Sequence, residues 1–213
     1  SDLIVTRNPY MPRILLVKTS SVGDVVHNLP VVSDIHAHVA DATVDWVVEE
    51  AFADIPRLHP GVTGVLPVAL RRWRKALAAR ATWREIASFR RELRVHEYDA
   101  VIDTQGLLKS ALIARDARSV RGHCAGLNWP SSREPLRCFY DQVFDIPWGQ
   151  HAVMRNRTLA ARAMGYAATT APDYGIGATR RADEARYAVL LHATSAKAKL
   201  WPEMHWESAC KSL

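Results

Sequence analysis

The sequence predicts an α/β fold built on a largely parallel sheet. Three observations carry this. Arg13-Ile14-Leu15-Leu16-Val17 is short, aliphatic and uninterrupted, as a parallel strand buried on both faces should be. It runs directly into a polar loop, Lys18-Thr19-Ser20-Ser21-Val22-Gly23-Asp24, and then into helix-like sequence from Val25. Strand-like runs then alternate with helical ones for the next 140 residues or so, as they do in α/β folds with a parallel sheet.

The elements follow in order. Residues 1–10 show no periodicity and read as an extension or expression remnant ahead of Met11. Val44-Asp45-Trp46-Val47-Val48 is the second strand, and the third lies within 61–68. Residues 69–94 read as helix, broken near Ala81-Thr82. Tyr98–Asp103 is the fourth strand, closed by Thr104-Gln105-Gly106 and followed by a helix to about Arg115. A short strand is expected near Val120-Arg121-Gly122, with helices over Ser132–Tyr140 and Ala152–Met164. Thr, Ala, Pro and Gly then accumulate, and 166–186 reads as a linker. Tyr187-Ala188-Val189-Leu190-Leu191 is a strand, His192 to Leu200 a polar loop, and Trp201-Pro202-Glu203 opens a helix with proline in its first turn. One strand and one helix bury too little to fold alone, so 187–213 is expected to be a second domain only begun. Residues 11–165 are expected to form the first, Rossmann-like domain.

Composition narrows the classes. The chain has 213 residues and ordinary apolar content, which excludes disorder. No run reaches the ~18 apolar residues of a membrane span, and no secretory signal is visible. Cys124, Cys138 and Cys210 share no metal or redox spacing, which fits a reducing cytosol. The net charge of +6 is concentrated: residues 71–94 hold nine Lys/Arg against Glu85 and Glu92, a local balance of +7. Such a patch seeks phosphate, nucleic acid or an acidic membrane face.

The first loop is neither G-x-G-x-x-G nor a Walker loop, which rules out a P-loop kinase. It holds a hydroxyl pair, one glycine and one carboxylate. Ser21-x-x-Asp24 has the spacing of a capping box, and spacing alone favours that reading. A base at the mouth of a sheet is the other, and a cap that aims a base satisfies both. Gln105-Gly106 ends another strand and should open onto the same cleft, while Asp103 reads as a strand-end cap. In Thr194-Ser195-Ala196-Lys197-Ala198-Lys199, hydroxyls and lysines precede a helix N-terminus, which suits a diphosphate as well as a solvated basic loop. Arg71, Arg74 and Lys75 share a helix face and suit anionic ligands, and few acidic neighbours accompany them. The sequence leaves open whether Arg133-Glu134 is an ion pair or a ligand contact. Histidines lack ligand spacing, and no Asp-x-Asp offers a metal site. Asn156-Arg157-Thr158 matches a glycosylation sequon, which carries no meaning in a cytosolic protein.

Taken in order from Met11, these blocks resemble the family-9 glycosyltransferases that build lipopolysaccharide. The matching residues are Lys18–Asp24, Asp45–Glu50, Arg71–Lys75, Tyr98–Leu107 with Lys109-Ser110, Arg133-Glu134-Pro135, and His192–Ser195 with Lys199 and Trp201-Pro202. The resemblance implies a GT-B fold of two Rossmann-like domains. It implies metal-independent, inverting transfer of L-glycero-D-manno-heptose from ADP-heptose to the Kdo region of Kdo2-lipid A, without a cofactor. Asp24 would be the catalytic base. Thr194, Ser195 and Lys199 would hold the donor phosphates. Arg71, Arg72, Arg74, Lys75, Lys109 and Arg133 would hold the acceptor. A monomer, peripheral on the cytoplasmic face of the inner membrane of a Gram-negative bacterium and inactive or weakly active as this chain alone, is expected. A family-9 enzyme with another acceptor is the first rival. A nucleic-acid-binding module using residues 71–94 with Trp73 and Trp83 is the second, and it leaves both strand–loop–helix sites unexplained.

Overall fold

A six-stranded, all-parallel sheet in the order β3-β2-β1-β4-β5-β6 organises the structure, a computed structural model that describes residues 11–177, 190 and 200–212. The strands are β1 (Arg13–Val17), β2 (Thr43–Glu49), β3 (Val62–Val68), β4 (Tyr98–Asp103), β5 (Arg118–Leu127) and β6 (Gln142–Phe144). The helices are α1 (Val22–Val26), α2 (Leu29–His38), α3 (Asp54–Arg57), α4 (Leu70–Lys75), α5 (Arg80–Leu93), α6 (Leu108–Ala117), α7 (Ala152–Met164) and α8 (Glu203–Lys211). The chain divides into two compact units, the first through Ile176 and the second from Gly177, so the division falls inside the expected linker.

Alternation along β1 explains why its sequence is continuously apolar. Ile14 and Leu16 enter one core with Val32, Ile35, Trp46 and Leu159, while Leu15 and Val17 enter the opposite core with Phe89, Leu93, Val101 and Ala114. All four β1 side chains are fully buried, each contributing about 1.5–3 kcal/mol by removal from water. The α2 and α7 helices cover the first face; α5 and α6 cover the second.

Four local expectations need correction. The helical break lies at Ala76–Ala79 rather than Ala81-Thr82, because Thr82 caps it by donating its hydroxyl to Ala76 O at 2.8 Å. Ser132–Tyr140 is not an α-helix and contains only a 3₁₀ turn at Arg137–Phe139. Ser132 Oγ there donates to Glu134 O, and Pro135 has no N–H to continue a helix. The short fifth strand is ten residues long, and β6 follows it unforeseen. In the second unit Pro202 is the N-cap of α8, not part of its first turn. The strand expected at 187–191 and the loop expected from His192 to Leu200 lie outside the described residues, Leu190 and Leu200 excepted.

Candidate active site

The sheet order creates a crevice between β1 and β4. From β1 the chain proceeds to β2 and β3 on one side; β4, β5 and β6 extend on the other. Loops leaving the carboxyl ends of β1 and β4 therefore diverge, which is where open α/β sheets bind ligands. Side chains stitch these two loops together. Gln105 Oε1 accepts the N–H groups of Thr19 and Ser20, both at 3.1 Å. Lys18 Nζ donates to Thr104 O at 2.7 Å, and Lys109 Nζ reaches Ser20 Oγ at 3.3 Å. Asp103 is the strand-end cap that the sequence indicated: Oδ1 accepts from the Gln105 and Gly106 amides, and Oδ2 from the Tyr140 hydroxyl at 2.8 Å. Complete burial raises its pKa against those hydrogen bonds.

Asp24 stands at the mouth of this crevice, at N3 of α1. The Ser21 N–H and hydroxyl both donate to its Oδ2, each at 2.9 Å. Partial burial alone would raise the Asp24 pKa. The two Ser21 hydrogen bonds, with Lys18 and His27 nearby, outweigh burial and leave it lowered. The carboxylate is thus ionised at neutral pH. The cleft before it has a volume of about 130 Å³ and is walled by Lys18, Gln105, Gly106, Arg133, Trp148 and Arg155, among others. That is smaller than the roughly 300 Å³ at which pockets begin to enclose drug-sized ligands, so it suits one polar group rather than a whole nucleotide. Gly106 takes φ +67°, and a side chain there would press on Leu127 and on the cleft wall.

Two cations of this cleft escaped sequence reasoning. Lys18 is buried, and burial lowers its pKa against the pull of Asp24 and Asp103. Its signal was available, since a lysine closing a doubly buried strand must find a partner. Arg155 lies on α7 with its guanidinium 3.9 Å from the Trp148 ring centroid, and it donates to Ser131 O at 2.6 Å. Burial and then Arg133 lower its pKa. No local pattern marks Arg155, because only the packing of α7 brings it to the crevice. Arg133 is exposed on the same wall, while Glu134 caps α6 by accepting the Leu108 N–H. The pair that sequence left ambiguous therefore divides: one residue faces the cleft and the other holds a helix.

The basic cluster of α4 lies at a separate hollow, beside Glu49 and Glu50 at the end of β2. Arg71, Arg72 and Lys75 line it, whereas Arg74 does not. Acidic neighbours are present after all. Arg72 is forked onto Glu50 at 3.1 and 3.2 Å and onto Glu85 at 2.6 Å. Glu85 also accepts the indole N–H of buried Trp73 at 2.8 Å. Arg72 therefore anchors α4, and the exposed Arg71, Arg74 and Lys75 carry no ion pair among the described residues.

Asn156 and Arg157 are buried, so the sequon is sterically closed. Among the described residues no group of three His, Cys, Asp or Glu is placed to hold a metal ion, and no helix is long and apolar enough to cross a membrane. Thr194, Ser195 and Lys199 lie outside the described residues.

A parallel α/β sheet with a carboxylate and several cations at its switch point defines a ligand-binding domain of the Rossmann-like class. The chain belongs to glycosyltransferase family 9 (heptosyltransferase), whose model matches residues 86–213. It is 46% identical over 201 residues to lipopolysaccharide heptosyltransferase 1 of Escherichia coli K12, covering 91% of this chain and 62% of that protein. It is 45% identical over 206 residues to the Pseudomonas aeruginosa enzyme of the same name, covering 94% and 58%. The chain thus spans about three fifths of the length of these relatives. E. coli heptosyltransferase WaaC, solved with ADP, superposes with a TM-score of 0.87 at 44% identity, covering 94% of this chain and 64% of that one. E. coli heptosyltransferase II shares the fold at a TM-score of 0.54, with 20% identity. The expected GT-B type α/β fold is the one found.

Proposed function

We propose that this chain forms the acceptor side of a heptosyltransferase. In this reading L-glycero-D-manno-heptose moves from ADP-heptose to the Kdo region of Kdo2-lipid A, with inversion and without a metal. The observation that carries the reading is Asp24, an ionised carboxylate held by Ser21 at a cleft whose other charged lining residues are the cations Lys18, Arg133 and Arg155. WaaC, its 44% identical structural relative, is also solved with ADP-2-deoxy-2-fluoro heptose, which supports ADP-heptose as the donor.

The chemistry follows from the geometry. Single displacement at the anomeric carbon needs one base on the acceptor hydroxyl and charge stabilisation on the leaving diphosphate. Asp24 Oδ2 is occupied by Ser21, so Oδ1 takes the acceptor proton. Lys18, Arg133 and Arg155 attract the carboxylates of an acidic sugar toward that base, with Lys109 at the cleft's loop and the Arg71–Lys75 face holding its more distant anionic groups. Thr194, Ser195 and Lys199 hold the ADP phosphates. The acceptor is a lipid, so the enzyme works peripherally at the inner face of the membrane.

In the complete enzyme Asp24→Asn should reduce turnover about 10²–10⁴-fold while ADP-heptose affinity holds. Turnover near the wild-type value would remove Asp24 from the mechanism. An acceptor screen with the same enzyme separates Kdo2-lipid A from other acceptor sugars.

A further inference from the structure

We propose that the α4–α5 junction is a docking surface for an anionic lipid bilayer. The inference takes from the functional reading only that a lipid-borne acceptor gives such a surface its use. Leu77 and Trp83 are 52% and 58% exposed. The indole is not loose: Trp83 Nε1 donates to the Leu77 carbonyl at 2.8 Å, which holds the ring against the Ala76–Ala79 turn. An exposed indole fixed in this way gives up little side-chain freedom when it enters an interface.

Charge surrounds the pair. Residues 70–84 contain no Asp or Glu. Arg71, Arg74, Lys75, Arg80 and Arg84 are all exposed, and none enters an ion pair among the described residues. By contrast Arg72 is held by Glu50 and Glu85, and Arg90 and Arg94 by Asp116. Five exposed, unpaired cations thus flank the apolar pair in sequence, on α4 and at the start of α5, while Phe89 and Leu93 further along α5 turn into the core. A tryptophan and a leucine ringed by arginine and lysine match the interfacial zone of a membrane: the indole sits at headgroup depth and each cation meets anionic lipid.

Position supports the assignment. The α4 helix starts two residues after β3 ends, so the junction stands beside the carboxyl edge of the sheet, the edge onto which the Asp24 crevice opens. Docking there brings the crevice toward a substrate anchored in the same bilayer.

The test is co-sedimentation of the 213-residue chain with vesicles of phosphatidylcholine, alone or mixed with phosphatidylglycerol, with no acceptor lipid present. Binding is expected on the anionic vesicles and is expected to weaken with salt. Leu77→Ser/Trp83→Ser should lower partitioning about tenfold or more, and Arg80→Gln/Arg84→Gln should lower it comparably. Trp emission of the wild type, but not of Trp83→Phe, should be quenched by lipids brominated near the headgroup. Three outcomes overturn the proposal: no binding to anionic vesicles, binding indifferent to Leu77 and Trp83, or displacement of vesicles by a single-stranded oligonucleotide in both the wild type and the Leu77/Trp83 variant. None of these four residues is assigned to donor or acceptor recognition. Transfer to a soluble Kdo acceptor by the complete enzyme therefore judges the functional reading separately.

Discussion

Ser21 spends both its donors on one oxygen of Asp24: the amide and the hydroxyl each reach Oδ2 at 2.9 Å. Among the described residues Oδ1 accepts nothing, so the carboxylate is held by one oxygen and open at the other. The capping box thus leaves one carboxylate oxygen available, as the proposed role of Asp24 as base requires.

This arrangement predicts a pH signature. The Ser21 hydrogen bonds favour the ionised carboxylate and, with Lys18 and His27, overcome burial to lower its pKa. The base acts when ionised, so activity is retained above that pKa and lost as pH falls through it. Ser21→Ala removes the hydroxyl bond, and the acid limb of kcat/KM in the complete enzyme should move to higher pH. An acid limb identical to the wild type's would mean that Ser21 does not set the base. The same sign governs stability: the depressed pKa contributes above the unfolded value of ~3.9 and is lost as pH drops through the folded one.

Lys18 ties the fold to the site. Its ammonium fills a buried position on Thr104 O and faces both Asp24 and Asp103. Lys18→Met leaves that carbonyl buried without its donor, which should cost about 1–3 kcal/mol. It also removes a cation that favours ionised Asp24, so turnover should fall with ADP-heptose affinity unchanged. Urea denaturation and steady-state kinetics check both parts. A variant with wild-type stability and turnover would show the contact to be incidental.

Arg72 should behave differently from its neighbours. Arg74→Ala and Lys75→Ala remove exposed cations and should raise the acceptor KM with little effect on melting. Arg72 is committed to Glu50 and Glu85, and Glu85 also holds Trp73. Glu85→Gln should therefore reproduce much of the Arg72→Ala phenotype, although Glu85 cannot itself attract an anion. If Glu85→Gln leaves acceptor KM untouched while Arg72→Ala raises it, Arg72 binds the acceptor directly.

Local chemistry explains what could be read in advance. The β1, β4 and α7 segments announced themselves because a doubly buried strand or an amphipathic helix writes its environment into its own residues. The bounds expected for β4 and α7 are those observed. Asp24 and Gln105 were legible for a related reason: carboxyl-end loops of a parallel sheet converge on one edge. Ser132–Tyr140 misled because its helix-like run contains Pro135, and its polar groups close local turns instead. Arg155 and the ion pairs of Arg72 depend on contacts between segments far apart in sequence, which one strand or helix cannot record.

Arg157 was the least legible residue, read only as the middle of a sequon. It is fully buried and paired with Asp34, Nε to Oδ2 at 2.7 Å and Nη2 to Oδ1 at 2.9 Å. The same guanidinium donates to Thr170 O at 2.9 Å and Thr170 Oγ1 at 3.1 Å. One side chain thus joins α7 to α2 and fastens the segment beyond α7 onto the first unit. Fixing α7 in turn places Arg155 on the cleft wall. Arg157→Met leaves Asp34 as a buried, unpaired carboxylate and should destabilise the chain by about 3–5 kcal/mol. Asp34→Leu alone strands the arginine and should cost a similar amount. Because either single change already abolishes the pair, the double variant should lose clearly less than the sum of the two. Urea denaturation of all four proteins measures the coupling. Strict additivity, or single losses under about 1 kcal/mol, would show that α7 is held by apolar packing against Leu29, Ile35 and Val32 rather than by this pair.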